Sequence, residues 1–358
     1  MLTRIEVRRL ELPLTTPYHL SFGDVKAFDT VLVRLHDDQG RMGIGEATVL
    51  TGYTDETIDQ TWAEAQQLAD AWCRLPGAEL LQRARALGPR APFLATAFAS
   101  AAEMLHGADV LAPPAALSVP VLGAINDTEP DAMRAQIDAL CARGFRTLKI
   151  KVGNDWRADA ERVAAARAHV AGRALLRVDA NQGFSPADAR AFAHQVGPEG
   201  IELFEQPCAA GDWAAHMAVA TDCPLPLMLD ESIYDEADID RVAERRAACF
   251  VKVKLMKFVS LERLAAAIER IRAHGLEPVL GNGVASDIGC WMEVCVAARH
   301  IRNAGEMNGW TRQRRPLLTD PLQVHEGLIR VPAGWRPQVD EAALDAGTVA
   351  VHVASGAA

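Results

Sequence analysis

Short apolar runs follow one another through the middle of the chain, and each ends in a charged residue. The charged residues are Lys151, Asp179, Glu205, Asp230 and Lys254, and consecutive members lie 28, 26, 25 and 24 residues apart. One strand followed by one helix occupies a similar length, so the repeat predicts buried parallel strands that alternate with helices. About eight such units close into a barrel, whose functional side chains lie at the carboxyl ends of the strands. The five charges all fall at such ends.

An open, doubly wound sheet is the alternative arrangement for alternating strands and helices. Such a sheet binds its ligand in one crevice, and the five charges span too many consecutive strands for that. The sequence also has no Gly-x-Gly-x-x-Gly turn after the first of these strands. We therefore favour an α/β fold with a modified (β/α) TIM-type barrel of about eight strands, the catalytic domain, over residues 119–325.

The residues on either side of the repeat follow other patterns. Residues 1–112 read as antiparallel strands and then helices, including the strand Ile5–Leu12 and the Ala-rich helix Ala91–His106, which predicts a separate α+β unit. Ala112-Pro113-Pro114 separates this unit from the repeat. The C-terminal segment, residues 326–358, loses the helical pattern and is predicted to pack back on the first unit.

Composition limits the kinds of partner. The 358 residues carry a formal net charge of −10 and contain no long basic run, which disfavours a nucleic-acid or anionic-membrane surface. No segment approaches membrane-spanning length, and the N-terminus lacks the apolar core of a signal peptide. The cysteines are scattered without a Cys-x-x-Cys pair, as in reduced core thiols. These features predict a soluble cytoplasmic protein, and apolar helices on the barrel exterior would permit a homo-oligomer.

Asp179, Glu205 and Asp230 offer only oxygen atoms as ligands. Oxygen ligands suit a hard divalent cation such as Mg²⁺, which keeps positions open for substrate, whereas zinc prefers His or Cys. Any one of the three, taken alone, could be an ordinary strand-end cap. Together they predict a site for one Mg²⁺ per subunit.

Lysines flank this predicted metal site. In Lys149-Ile150-Lys151, the period-two alternation of a strand places both ammonium groups on one face, a pattern that by itself would describe lysines in water. Lys149, Lys151 and Lys254, together with one divalent cation, carry one positive charge more than is needed to balance the three carboxylates and an anionic substrate. Neutrality therefore requires one unprotonated lysine, which is the state of a general base. Lys151 and Lys254 come from opposite sides of the metal strands and could flank a substrate carbon. Proton removal on one face and return on the other is racemisation or epimerisation.

The motifs LKIKVG, DANQGF, FEQP, LDES and VKVKLMK resemble the strand-end motifs of the enolase superfamily, in particular its muconate-lactonising enzyme and mandelate racemase-like group. In the first unit, GIGEATVLTGYTDET is similar to the substrate loop of the family's N-terminal capping domain. The resemblance implies a Lys base that acts with Mg²⁺. The roles that it implies are Mg²⁺ binding for Asp179, Glu205 and Asp230, acid/base catalysis for Lys151 and Lys254, and binding of the substrate carboxylate for Lys149.

The sequence departs from the pattern of the dipeptide epimerases that it resembles. Where many of them carry an Asp-x-Asp pair that holds a substrate ammonium, this chain reads Glu306-Met307-Asn308, which argues against a dipeptide substrate. Lys252 shares a strand face with Lys254 but is given no role, and Lys257 is expected to begin the following loop. The residues predicted to shape the substrate pocket are Tyr53, Lys149, Asn282, Glu306 and Asn308, with the loop from Tyr18 to Phe22.

These observations predict a Mg²⁺-dependent racemase or epimerase acting on a small amino-acid-like carboxylate. The α-proton would leave through a metal-stabilised enediolate, with two lysines as acid and base. A dehydratase (a lyase) or a cycloisomerase, acting at the same site on a hydroxy or cyclic acid, is the alternative. A binding barrel with a structural metal is a third interpretation, which the surplus of lysines disfavours because a static site gains nothing from a base.

Overall fold

The first unit of the molecule is an antiparallel sheet covered on one face by helices. The structure, a computed structural model, describes residues 1–20 and 23–356. The elements of this unit are β1 (Leu2–Leu20), β2 (Gly23–Asp37), β3 (Met42–Thr48), α1 (Ile58–Trp72), α2 (Gly77–Leu87), α3 (Pro92–Leu105) and β14 (Thr348–Ser355). Its sheet has the order β14-β1-β2-β3, so the last strand of the chain pairs with the first.

Helix α3 lies against strand β3 at a distance that only glycine allows. A Cβ atom at Gly45 would lie 2.3 Å from the carbonyl oxygen of Ala97 and 2.5 Å from the backbone nitrogen of Ala101. The alanine-rich sequence of α3 contributes small side chains to the same contact, and nearly all of the helix is buried. The sequence therefore builds the core of this unit from a direct approach of helix and sheet backbones.

The second unit is a curled sheet of parallel strands in the order β11-β10-β9-β8-β7-β6-β5. Its strands are β5 (Gly123–Ile125), β6 (Thr147–Lys151), β7 (Leu175–Asp179), β8 (Ile201–Glu205), β9 (Leu227–Leu229), β10 (Phe250–Val253) and β11 (Glu277–Leu280). Its helices are α4 (Pro130–Ala142), α5 (Trp156–Val170), α6 (Pro186–Val196), α7 (Trp213–Ala220), α8 (Glu236–Arg245), α9 (Leu255–Phe258), α10 (Leu261–Ala273) and α11 (Asp287–His300). The predicted alternation of strand and helix is confirmed.

A non-strand segment takes the eighth position of the ring. The backbone nitrogen of Glu306 donates to Leu280 at the end of β11, at 3.1 Å, and the nitrogen of Leu122 donates to Gly305 at 3.0 Å. The segment thus bridges the two edge strands, β11 and β5. About eight strands were predicted; among the described residues the sheet has 7, and this segment completes the circle.

The remaining elements lie beside the ring. Strands β4 (Leu117–Pro120), β12 (Val324–His325) and β13 (Leu328–Val331) form a small antiparallel sheet, and helix α12 (Glu341–Gly347) leads into β14. In the part of the chain that the structure describes, no helix is long and apolar enough to cross a membrane.

Buried carboxylates of the first unit fasten it to the ring. Glu46, on β3, accepts hydrogen bonds from the backbone nitrogens of Ser286 (2.8 Å) and Gly289 (3.0 Å), at the start of α11. Glu103, on α3, accepts from the backbone nitrogen of Leu261 at 2.7 Å, at the start of α10. Carboxyl oxygens placed at a helix N-terminus satisfy its orphan N–H groups. These contacts fix the first unit over the carboxyl ends of the strands.

Candidate active site

The carboxyl ends of the strands face a cavity of about 290 Å³ that the first unit covers. Aromatic and small residues line it from the first unit: Tyr18, Leu50, Gly52, Tyr53 and Phe93. Of the residues predicted from the sequence to form a site, those that line this cavity are Tyr53, Lys149, Lys151, Asp179, Asp230, Lys254, Asn282 and Glu306. Glu205 lies directly behind them, and Asn308 turns away, since its Nδ2 donates to the Leu122 carbonyl at 3.1 Å.

The three predicted metal ligands come from neighbouring strands. Asp179 ends β7, Glu205 ends β8 and pairs with it in register, and Asp230 follows β9. All three are buried. Among residues 1–20 and 23–356, the Oδ2 atom of Asp179 and the Oε2 atom of Glu205 have no partner with hydrogen-bond geometry. Three buried carboxylates in an all-oxygen set, faced by ammonium groups in the protein alone, fit a hard cation.

Two buried lysines stand between these carboxylates. The Nζ atom of Lys149 lies 2.8 Å from Asp179 Oδ2, 2.9 Å from Glu205 Oε2 and 2.6 Å from Glu306 Oε1. The Nζ atom of Lys252 lies 2.8 Å from both Glu205 Oε1 and Glu306 Oε2. Within the described residues no three acidic, histidine or cysteine side chains are gathered as a ready-made metal cluster, because these ammonium groups separate the carboxylates.

Lys151 and Lys254 approach the cavity from opposite sides. Lys151 ends β6, and its Nζ lies 3.0 Å from Asp179 Oδ2 and donates to the side-chain oxygen of Asn181. Lys254 follows β10, and its Nζ lies 2.8 Å from Asp230 Oδ2. Strands β7, β8 and β9, which supply the carboxylates, lie between the two lysine strands.

In the protein alone, the charges nearest to Lys151 and Lys254 are anions. Burial alone would lower the pKa of Lys151 and Lys254, but the carboxylates of Asp179 and Asp230 outweigh it and raise the pKa of both. The expectation of one unprotonated lysine concerns the site with a divalent cation and a substrate bound, and it stays a prediction. Burial instead lowers the pKa of Lys257 to about 8, even though Asp230 opposes the shift.

The residues of the candidate site without a role predicted from the sequence include Asn181, Glu231, Lys252 and Lys257. Lys257 lies in the short helix α9 and not in a loop, is buried, and its Nζ donates to the Asp230 carbonyl at 2.5 Å and to Oδ1 at 2.7 Å. The signal for Lys252 was present, because period-two alternation puts it on the face of Lys254. Lys257 ends the motif VKVKLMK, but its contact with Asp230 depends on the turn of a helix just after the strand, which alternation along the strand does not indicate.

The comparisons with known proteins agree with this architecture. Residues 132–337, more than half of the 358-residue chain, match the family described as Enolase C-terminal domain-like. The chain belongs to the enolase superfamily. The superfamily assignment predicted from the motifs is therefore confirmed, together with the barrel and its N-terminal capping domain.

Relatives of this superfamily member include racemases and epimerases. It is 30% identical over 305 residues to the L-Ala-D/L-Glu epimerase of Bacillus subtilis, which covers 80% of this chain and 82% of the relative. The crystal structure of N-succinyl Arg/Lys racemase from Bacillus cereus matches 98% of this chain and 99% of its own, with TM-score 0.90 and 23% identity. A dipeptide epimerase from Cytophaga hutchinsonii, complexed with Mg and D-Ala-L-Val, matches 99% of both chains, with TM-score 0.89 and 21% identity. The two structures show the shared fold.

The eighth position of the ring gives this superfamily member a distinctive polar arrangement. Both carboxylate oxygens of Glu306 are engaged, one by Lys149 and one by Lys252, and these ammonium groups hold the pKa of Glu306 well below its usual range in spite of burial. With Asn308 turned away, this segment presents no uncommitted carboxylate to the cavity. Of the predicted specificity loop, Tyr18 lines the cavity, while Ser21 and Phe22 lie outside the described residues.

Three further residues, Asp287, Arg312 and Arg315, have defined contacts outside the cavity. Asp287 is buried and accepts hydrogen bonds from the backbone nitrogens of residues 317 and 318, both at 3.0 Å, so it shapes a loop. Arg315 forms an ion pair with Asp340 at 2.9 Å. The guanidinium of Arg312 lies 4.3 Å from the centre of the Tyr18 ring. None of the three lines the cavity.

Proposed function

We propose that this chain racemises or epimerises the α-carbon of a small amino-acid-like carboxylate, with Mg²⁺ as its cofactor. The observation that carries the proposal is the placement of Lys151 and Lys254. They stand at the ends of two strands that the carboxylate-bearing strands separate, and both line one cavity. Two bases on opposite sides of one site are what inversion at a carbon centre requires.

Asp179, Glu205 and Asp230 would hold the cation. Their buried oxygens form an all-oxygen set that fits it, and in the protein alone the Lys149 ammonium lies against Asp179 and Glu205. When bound there, a divalent cation stabilises the negative charge that develops on the substrate carboxylate as the α-proton leaves. Lys149 remains the candidate counter-charge for that carboxylate, because it lines the same cavity beside the proposed ligands.

The acid/base roles follow from the two faces of the cavity. For one enantiomer, the Nζ atom of Lys151 removes the α-proton and Lys254 returns a proton to the opposite face. For the other enantiomer the two lysines exchange roles. The carbon therefore keeps its substituents and changes only its configuration, and the mass of the molecule is unaltered.

The α-nitrogen of the substrate is proposed to be neutral, as in an N-acylated amino acid. A free ammonium would need an acidic partner, and the oxygens of Glu306 are already bound by two lysines. Glu231 is the acidic residue that could bind a substrate ammonium. It lines the cavity, and its Oε2 has no hydrogen-bond partner within the described chain. Dipeptides with a free ammonium therefore belong in the substrate screen.

The test is exchange of the α-proton in heavy water with Mg²⁺. The screen should contain N-acetyl and N-succinyl amino acids, dipeptides, proline derivatives and cyclic acids, followed by NMR and mass spectrometry. We expect deuterium at the α-carbon and inversion of configuration, and we expect Lys151→Ala or Lys254→Ala to slow inversion by about 10²- to 10⁴-fold.

Other outcomes would assign another reaction. Loss of one water from the product would identify a dehydratase, and ring formation or opening at constant mass would identify a cycloisomerase. If no compound takes up deuterium and no reaction depends on either lysine, the racemase proposal is wrong.

A further inference from the structure

The two proposed acid/base lysines have different neutral neighbours. The Nζ atom of Lys254 donates to the hydroxyl of Tyr53 at 2.7 Å and lies 4.5 Å from the centre of its ring. Lys151 has no such aromatic contact in the described chain, and its neutral partner is the side-chain amide of Asn181. The two faces of the cavity are therefore built from different parts of the molecule, since Tyr53 belongs to the capping domain and Asn181 follows strand β7.

Tyr53 is attached to the barrel through its side chain and through its backbone. Its hydroxyl donates to Asp230 Oδ1 at 3.0 Å while accepting from Lys254. Its carbonyl oxygen accepts from the hydroxyl of Tyr234, on the barrel, at 2.8 Å. The turn that carries Tyr53 is closed by its own hydrogen bond, from the Tyr53 nitrogen to the Leu50 carbonyl at 3.0 Å. The position of this hydroxyl is thus determined by both domains.

Lys254 depends on that hydroxyl for its direction. A lysine ammonium sits on a flexible stem of four carbons, so one ionic contact leaves its direction poorly defined. The other contact of this ammonium, Asp230, is shared, because Asp230 Oδ1 also accepts from Lys257 at 2.7 Å. The hydroxyl and ring of Tyr53 supply a hydrogen bond and a cation–π contact that together define where the Nζ atom points.

We propose that Tyr53 is a positioning residue that aims Lys254 at the substrate carbon, and that it does so only when the capping-domain turn is seated on the barrel. The inference rests on the proposed function for the role of Lys254 as a base. This role differs from the substrate-binding role predicted for Tyr53 from the sequence, because the hydroxyl forms hydrogen bonds with Lys254 and Asp230. A consequence is that the effect of Tyr53 is confined to one face of the substrate.

An effect on only one face of the substrate distinguishes a positioning role of Tyr53 from a general structural role. Exchange of the α-proton with retention of configuration uses one base, whereas inversion uses both. Loss of Tyr53 should slow exchange from the enantiomer whose proton faces Lys254 and should slow inversion in both directions. It should leave exchange from the other enantiomer nearly unchanged. Damage to the fold or to metal binding would instead lower exchange from both enantiomers.

The experiment measures early deuterium uptake from separate L and D enantiomers of N-acetyl and N-succinyl amino acids, with Mg²⁺ present. Lys254→Ala identifies the enantiomer that uses Lys254, because its exchange is lost. Tyr53→Phe should slow exchange of that same enantiomer about tenfold or more, with less than about a twofold change for its mirror image. Asn181→Ala is the matched variant on the other face and should slow the opposite enantiomer. Equal losses for both enantiomers in Tyr53→Phe, or no loss, would overturn the inference.

Crystal structures of wild type and Tyr53→Phe without substrate give a second, independent measurement. We expect the Lys254 ammonium to leave its position beside Asp230 Oδ2 or to occupy several positions when the hydroxyl is absent. An unchanged single position would refute the inference. If the wild type exchanges no proton from any probe, the proposed function fails, and this structural comparison alone decides whether Tyr53 positions Lys254.

Discussion

Replacement of Glu293 by glutamine is expected to change how the stability of the protein depends on pH. Glu293 lies in the middle of helix α11 with 1% of its surface exposed. Its Oε1 accepts from the backbone nitrogen of Leu255 at 2.8 Å, directly after Lys254, while its Oε2 has no partner in the described part of the chain. Burial raises the pKa of Glu293 from 4.5 to about 7, although the Leu255 N–H opposes the shift.

The sign and size of the effect follow from proton linkage. Because the folded state binds the proton more tightly than the unfolded state, the contribution of Glu293 to stability is complete below pH 4.5 and is lost as the pH rises through about 7. Each unit of pKa difference corresponds to about 1.4 kcal/mol, so the loss is about 3 kcal/mol. With an unfolding entropy of about 2 cal/mol/K per residue, this loss equals roughly 4 °C in Tm for a chain of this length.

The assay compares thermal unfolding of wild type, Glu293→Gln and the exposed control Glu244→Gln between pH 5 and pH 8.5. Glutamine keeps the shape of the side chain and cannot ionise, so the stability of wild type relative to Glu293→Gln should fall by about 3 kcal/mol over this range. Glu244→Gln removes a carboxylate at an exposed position and so controls for the change in net charge. If the difference between wild type and Glu293→Gln is independent of pH, then Glu293 is not protonated in the fold and the reasoning from burial is refuted.

Further predictions concern the metal, the core and the buried lysines. Chelation with EDTA should abolish turnover and Mg²⁺ should restore it, and Asp179→Asn should weaken Mg²⁺ binding by about tenfold or more in calorimetry. Gly45→Ala should lower the free energy of unfolding by about 3 kcal/mol in a denaturant titration, because its Cβ would collide with helix α3. The control Gly211→Ala, whose Cβ meets nothing within 4 Å, should be close to neutral in the same titration. Lys252→Met should lower the free energy of unfolding by about 3–5 kcal/mol, since it removes the ammonium group that binds Glu205 Oε1 and Glu306 Oε2 and leaves Lys149 alone to neutralise these two buried carboxylates.

The fold and the composition of the site were largely predictable because both depend on local patterns. Parallel strands place their carboxyl ends at one edge, so charges at the ends of successive apolar runs had to converge. Asp179 and Glu205 are adjacent in register, as their equivalent positions in successive strands require. The repeat length and the strand-end charges contained this information without any knowledge of the tertiary contacts.

Contacts between distant segments could not be predicted in this way. Tyr53 and Lys254 are separated by 201 positions, and their contact depends on how the capping domain seats on the barrel. The eighth position of the ring is not visible in the sequence for a related reason. Its segment around Glu306 bonds through its backbone to both neighbours without the alternating pattern of a strand, so only the closed ring reveals its position.

The charge balance of the site connects the residues that sequence reasoning found with those that it missed. The sequence identified three lysines and three carboxylates and inferred, with a divalent cation and one substrate anion, a surplus of one positive charge. In the structure Lys252 and Lys257 join the lysines, and Glu231 and the predicted pocket residue Glu306 join the acids, so these four groups cancel in formal charge. The surplus of one positive charge therefore remains.

A buried site tolerates little net charge, so binding of the cation and of a substrate anion together favours loss of a proton from a lysine. In the protein alone the carboxylates raise the pKa of both Lys151 and Lys254, so we expect the unprotonated base that the proposed mechanism requires to form only when the cation and the substrate are bound.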